Sequence, residues 1–150
     1  MSVQVFSVGT NLVVIRHPEK GDAENGKTIC DLIRGKLAGG SDPVCLFHDA
    51  TGMATANTSY AAAFKDLDKD ISGRVVEVVC AIPGSIPRMM AHTVAMFSEK
   101  KWSIFRTRQE SEEYLKSKGY SVADSANSSP FVKGGEPPAS PFEKGGLRGI

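Results

Sequence analysis

The sequence predicts an α/β domain, a mixed, mostly parallel sheet of about five strands with about four helices, followed by a disordered C-terminal tail. Three observations carry this expectation. Short β-branched runs at Leu12–Ile15, Val44–Phe47 and Arg74–Ile82 alternate with segments whose apolar residues recur at helical spacing. A strand, a helix and a further strand in succession favour parallel crossovers. Beyond Tyr120 the aliphatic residues become sparse and Gly, Pro and Ser take over.

The elements follow in order. Residues Val3 to Val8 alternate as a short edge-like strand, Gly9-Thr10-Asn11 makes a turn, and Leu12–Ile15 completes a hairpin. His17-Pro18-Glu19-Lys20-Gly21 breaks the pattern. Ile29, Ile33 and Leu37, with Cys30 and Leu32 beside them, form the stripe of a first helix that ends at Gly39-Gly40. Val44–Phe47 is continuously apolar, as a central strand covered on both faces requires. A second helix begins near Asn57 or Thr58 and carries Tyr60, Phe64, Leu67 and Ile71 on one side, with the charges of residues 65–70 mostly on the other. Arg74–Ile82 is a second buried strand. Ser85 or Ile86 is expected to cap a third helix, with Pro87 in its first turn and Ile86, Met90, Val94 and Phe97 along its core face. Trp102–Phe105 is a last strand. Thr107 and Glu110 then form a capping box for a fourth helix, which Tyr114 and Leu115 dock and Gly119 ends.

Residues 1–120 are therefore expected to fold and residues 121–150 to stay disordered. The tail repeats a short unit, Ser129–Gly135 and again Ser140–Gly146, written SPFxKGG. A composition of 41% hydrophobic and 23% charged residues suits an ordinary globule, and a net charge of +1 offers no footprint for nucleic acid or an anionic membrane. The three cysteines, Cys30, Cys45 and Cys80, lie in apolar-periodic segments without a C-x-x-C pair, so they read as buried thiols. No apolar run is long enough to cross a bilayer and no leader pattern follows Met1, which makes a cytoplasmic location the expectation.

The stretch Phe47–Tyr60 (FHDATGMATANTSY) joins a central strand, a small-residue turn and a hydroxyl-bearing helix start. Asn57 or Thr58 is an ordinary N-cap there. A phosphate on Thr58 would be held by the free amides and dipole of the same helix start. Gly21–Thr28 matches the phosphate-binding pattern G-x-x-x-x-G-K-[ST], but Asp22 and Glu24 place two carboxylates where phosphate should lie. Nucleotide binding is accordingly a minor alternative. His17, His48 and His92 show no ligand spacing and read as structural, and His48 and Asp49 as neighbours on a strand point to opposite faces. Met89, Met90 and Met96 read first as core filling and second as the adaptable wall of an apolar ligand site. No metal, cofactor or catalytic set is expected.

The segments Asn11–Arg16, Lys27–Leu37, Asp49–Met53, Asn57–Ser59, Val78–Ile82 and Arg88–Met90 together resemble the STAS domain family of anti-sigma factor antagonists and their SpoIIAA-like or SEC14-like relatives. The resemblance spans roughly Val3 to Leu115. It implies a non-enzymatic, regulatory protein-interaction module switched by phosphorylation at the start of the second helix. Its motif Asp-Ser-Ser/Thr-Gly is met by Asn57, Thr58, Ser59 and Tyr60, so Thr58 takes the phosphoacceptor position with Ser59 behind it. Asn57, Tyr60 and Asp49 become the expected partner contacts. The partner implied is a protein such as a regulatory kinase or an anti-sigma-like factor. An apolar ligand, as in SEC14-like relatives, is the alternative.

Overall fold

The computed structural model describes residues 3–40, 43–71 and 73–122. The chain divides into two units, Met1–Tyr120 and Ser121–Ile150, and the architecture below is that of the first. Of the tail expected to be disordered, residues 121–150, the part from residue 123 onward lies outside the described residues.

The elements are β1 (Gln4–Val8), β2 (Leu12–Arg16), β3 (Lys20–Gly21), α1 (Ala23–Ala38), β4 (Val44–Asp49), β5 (Thr55–Ala56), α2 (Thr58–Asp70), β6 (Val75–Ala81), α3 (Ser85–Met96), β7 (Lys101–Phe105) and α4 (Arg108–Ser117). The five longer strands form one sheet in the order β1-β2-β4-β6-β7. β1 and β2 are the expected antiparallel hairpin, turning through Gly9 at a φ of 64°, and the other pairings are parallel. The α/β class and the mostly parallel sheet are as the sequence indicated.

All six residues of β4 are buried, because helices cover both faces of the sheet. On one face Val13, Ile15, Val44, Leu46, Val78 and Cys80 join Ile29, Ile33 and Leu37 of α1, Tyr60, Phe64, Leu67 and Ile71 of α2, and Val94 of α3 in one cluster. On the other, α4 packs on β6 and β7, with Tyr114 bonded to Glu77 and its ring against Phe105. Leu46 and Phe47 are 2% and 1% exposed, and each contributes roughly 1.5–3 kcal/mol by leaving water. Cys30, Cys45 and Cys80 are buried free thiols.

Three features depart from the sequence reading. First, β3 and β5 pair in parallel over two residues each, too short to leave a periodic signal. This ribbon ties the segment before α1 to the segment before α2, with Asn57 N–H donating to Gly21 O at 2.9 Å. Second, α1 begins at Ala23 under an Asp22 cap whose side chain accepts from Asn25 N–H. The Gly21–Thr28 match is therefore helical from Ala23, and Gly26 N–H already bonds Asp22 O. A phosphate-binding loop needs several amides left free to converge on one anion, so the nucleotide reading has no loop to rest on. Lys27 instead pairs with Asp31 on the exposed side of the helix. Third, α3 is capped by Gly84 without a side-chain bond, instead of by Ser85 or Ile86. The helix is rolled so that Pro87 and Val94 are buried, while Ile86, Met89, Met96 and Phe97 are exposed. Met89 and Met96 are thus not core filling.

Gly26 marks the closest approach of α1 to α2. A Cβ built there would lie 3.1 Å from Tyr60 Cδ1, whereas one on Gly35, on the exposed side of the same helix, meets nothing within 4 Å. Gly35→Ala should raise the unfolding free energy by about 0.5–1 kcal/mol through helix propensity. Gly26→Ala should lower it by about 1 kcal/mol, because overpacking against Tyr60 outweighs the same gain. Urea denaturation of the two variants checks this, and equal effects would show that Tyr60 yields freely.

Candidate functional site

The parallel register aligns Ile15 of β2 with His48 of β4, so His17, just past β2, comes level with the end of β4. The N-cap of α2 is set by Asn57, whose Oδ1 accepts from Tyr60 N–H at 3.0 Å. Together with the β3–β5 ribbon, this aims the Tyr60 side chain back under the helix. The three side chains meet in a line, with His17 Nδ1 2.5 Å from Tyr60 Oη and His17 Nε2 2.8 Å from His48 Nδ1. The His48 ring stacks on Trp102 with centroids 6.2 Å apart and 13° between planes, and meets Phe64 edge-on at 5.6 Å.

This line of three side chains is uncharged near neutral pH. Burial lowers His17 well below the usual histidine range, and His48 beside it pushes in the same direction. Burial takes His48 down to about 4 against the opposing field of Asp68. Burial also raises the Tyr60 phenol, with Cys30 and Asp22 adding to the effect, so it keeps its proton. Protons can run either way along the line. With Tyr60 donating to His17 Nδ1 and His17 Nε2–H donating to His48 Nδ1, His48 carries its own proton on Nε2. With the order reversed, His48 Nε2 becomes an acceptor.

The same residues line a cavity between α2 and α3 that holds about 500 Å³ of empty space, its open mouth included. Its walls are Ala50, Met53, Ala56, Ala61 and Phe64, then Cys80 and Ile82, then Pro87, Met90, Ala91 and Val94 from α3, with Trp102 from β7. Apart from the His17–His48–Tyr60 line the walls are almost wholly apolar. Nearby, Asp68 and Lys100 form a buried ion pair at 3.1 Å, although the charges of α2 were expected mostly on its solvated side.

The sequence-designated residues are divided by the fold. Thr58 and Ser59 are exposed in the first turn of α2, where no acidic residue stands, and Asn57 beside them is the cap. Tyr60 and Asp49, expected among the partner contacts, are turned inward and are each 5% exposed. Tyr60 follows the apolar face of its helix. Asp49 lies on the opposite face of the sheet from His48, where it accepts from Thr51 N–H and Oγ1–H and sits 3.6 Å from Arg108 of α4. His17 and Trp102 were not grouped with His48 and Tyr60, because nothing local joins residues 31 or 43 positions apart. The usable signal was that His17 and His48 both close strands of a parallel sheet, and carboxyl ends of such strands line up. His92 is exposed. Among the described residues no three His, Cys, Asp or Glu are grouped to hold a metal, and no helix is long and apolar enough to cross a membrane.

The unfolded chain protonates His48 near its ordinary value of 6.5, and the folded chain only near 4. Stability should therefore fall as the pH drops from 6.5 through about 4, with His48 accounting for on the order of 3 kcal/mol and His17 acting in the same sense. Urea unfolding across this range checks it. His48→Gln should flatten the slope, and an unchanged slope would assign the acid sensitivity to carboxylates.

Neither a family model nor a curated protein sequence matches the chain. Among solved structures it is similar to an uncharacterized protein of the DUF3478 family from Shewanella loihica PV-4, described as having a SpoIIAA-like fold. The two are 14% identical, the match covers 76% of this chain and 92% of the other, and the TM-score is 0.57. At that identity the likeness concerns architecture. The order of elements, the parallel sheet and this match agree, and the chain has a SpoIIAA-like, STAS-type fold.

Proposed function

We propose that the protein is a non-enzymatic, STAS-type binding module that holds an apolar small molecule between α2 and α3. The observation that carries this reading is the concave site between α2 and α3, walled by aliphatic, aromatic and methionine side chains. Concave sites with apolar walls and a few polar groups are the usual form of small-ligand sites. Met53 and Met90 add adaptable walls. The Tyr60–His17–His48 line supports binding over catalysis, since its groups are neutral, joined to one another by hydrogen bonds and without an activated nucleophile. The only tryptophan, Trp102, lines the cavity and reports on it. N-phenyl-1-naphthylamine, a neutral apolar dye, should bind saturably with a change in Trp102 emission. Ala61→Phe, which fills the cavity, should weaken it by about tenfold or more. Absence of saturable binding would overturn this reading.

A second reading, a cytoplasmic regulatory module that contacts a protein such as a kinase or an anti-sigma-like factor, is favoured by the α2 start. Thr58 and Ser59 are exposed there, and no carboxylate in the first turn competes for its dipole. In this reading Thr58 is the phosphoacceptor, Ser59 the adjacent hydroxyl and Asn57 the neighbouring contact. Thr58→Glu should leave the circular dichroism spectrum unchanged, alter helix stability by no more than about 1 kcal/mol, and change the affinity for a partner recovered from the native cell. Equal binding by Thr58→Glu, Thr58→Ala and wild type would end the switch reading.

A further inference from the structure

The ligand class can be narrowed on the basis of the cavity reading above. We infer that the α2–α3 cavity selects a neutral molecule, an aliphatic body bearing one hydroxyl or carbonyl group set against His48, and rejects the corresponding carboxylate. Three observations lead there.

The first is the accounting of polar atoms. Both ring nitrogens of His17, the phenol of Tyr60 and Nδ1 of His48 are used within the line. Among the described residues His48 uses only Nδ1 in a hydrogen bond, while its ring lines the cavity. Its Nε2, beside the Trp102 Nε1–H that is buried without a partner on another lining residue, is left over for a ligand. The second is that the line can carry its protons in either direction, so this nitrogen presents a donor to a carbonyl and either role to a hydroxyl. The match requires one polar group on the ligand and no charge.

The third is the electrostatic setting. Among the described residues no Lys, Arg, Asp or Glu lines the cavity. The nearest strong field on His48 is that of Asp68, and Asp68 is bound to Lys100 through both its carboxylate and its carbonyl oxygen. A buried carboxylate needs a paired cation. His17 and His48 could supply one only by taking a proton, which burial opposes at each ring and the neighbouring ring further opposes at His17. An anion would thus enter without a counter-ion, whereas an alcohol or ketone leaves nothing unpaired.

The test uses the full chain near neutral pH, with N-phenyl-1-naphthylamine displacement and Trp102 emission as readouts. The competitors are 1-octanol, 2-octanone, n-octane and octanoate, which share an eight-carbon skeleton. The alcohol and ketone should bind within about tenfold of each other and about a hundredfold tighter than octanoate. His48→Leu should weaken 1-octanol about tenfold and leave n-octane within about threefold. His48→Met, which also removes the ring nitrogens but adapts its shape more readily, serves the same comparison should His48→Leu fail to fold. Octanoate binding as tightly as 1-octanol, or a dye that binds but is displaced by none of the four, would overturn the inference and leave the cavity reading standing. A dye that does not bind at all overturns both.

Discussion

A strand with no solvent face governs this structure. Every residue of β4 is buried, and its last two, His48 and Asp49, are polar. A polar group taken from water must find a partner or destabilise the fold by a few kcal/mol. Each recruits its own set. His48 draws on His17 from the end of β2 and, through it, on Tyr60 from α2. Asp49, facing the other way, draws on Thr51 in the following turn and Arg108 at the head of α4. Elements on both sides of the sheet are thereby tied to the end of β4, and the Tyr60–His17–His48 line lies along the cavity wall.

Much of the fold was legible in the sequence because its signals are local. The apolar run Val44–Phe47 of β4, the stripe Tyr60, Phe64, Leu67 and Ile71, and the capping box at Thr107 and Glu110 each announce themselves within a few residues. What stayed hidden depends on distant partners. Tyr60 reads as the last position of a surface motif until Gly26 of α1 is seen to leave room for its ring. Asp22 looks like an unfavourable residue in a phosphate loop until it is seen capping α1. The histidine pair could not be deduced from spacing, since its members sit at the ends of separate strands.

The roll of α3 was obscured for a different reason. Ile86, Met90, Val94 and Phe97 fit a helical stripe as well as the inward-facing Pro87, Ala91 and Val94 do, and periodicity alone does not choose between two overlapping stripes. Packing chooses, and it leaves Ile86, Met89, Met96 and Phe97 in contact with water. With only Pro87 and Val94 buried and no side-chain cap at Gly84, α3 has few anchors of its own. An element so held opens at lower free energy than the core strands, and here it forms one wall of the cavity.

The adjacency of His48 and Asp49 has a consequence for how the chain finds its register. A strand buried on both faces with an unbroken apolar run gives little hydrophobic discrimination between the native alignment and one slipped by a single residue, since either way Val, Cys, Leu and Phe are covered. The two polar residues break that degeneracy. A slip would swing the Asp49 carboxylate in among apolar walls and turn His48 toward Arg108, leaving an unpaired anion on one side and an imidazole facing a cation on the other. The pair at the end of β4 therefore acts as a proofreading mark, making the misaligned sheet unstable where its apolar residues alone would tolerate it.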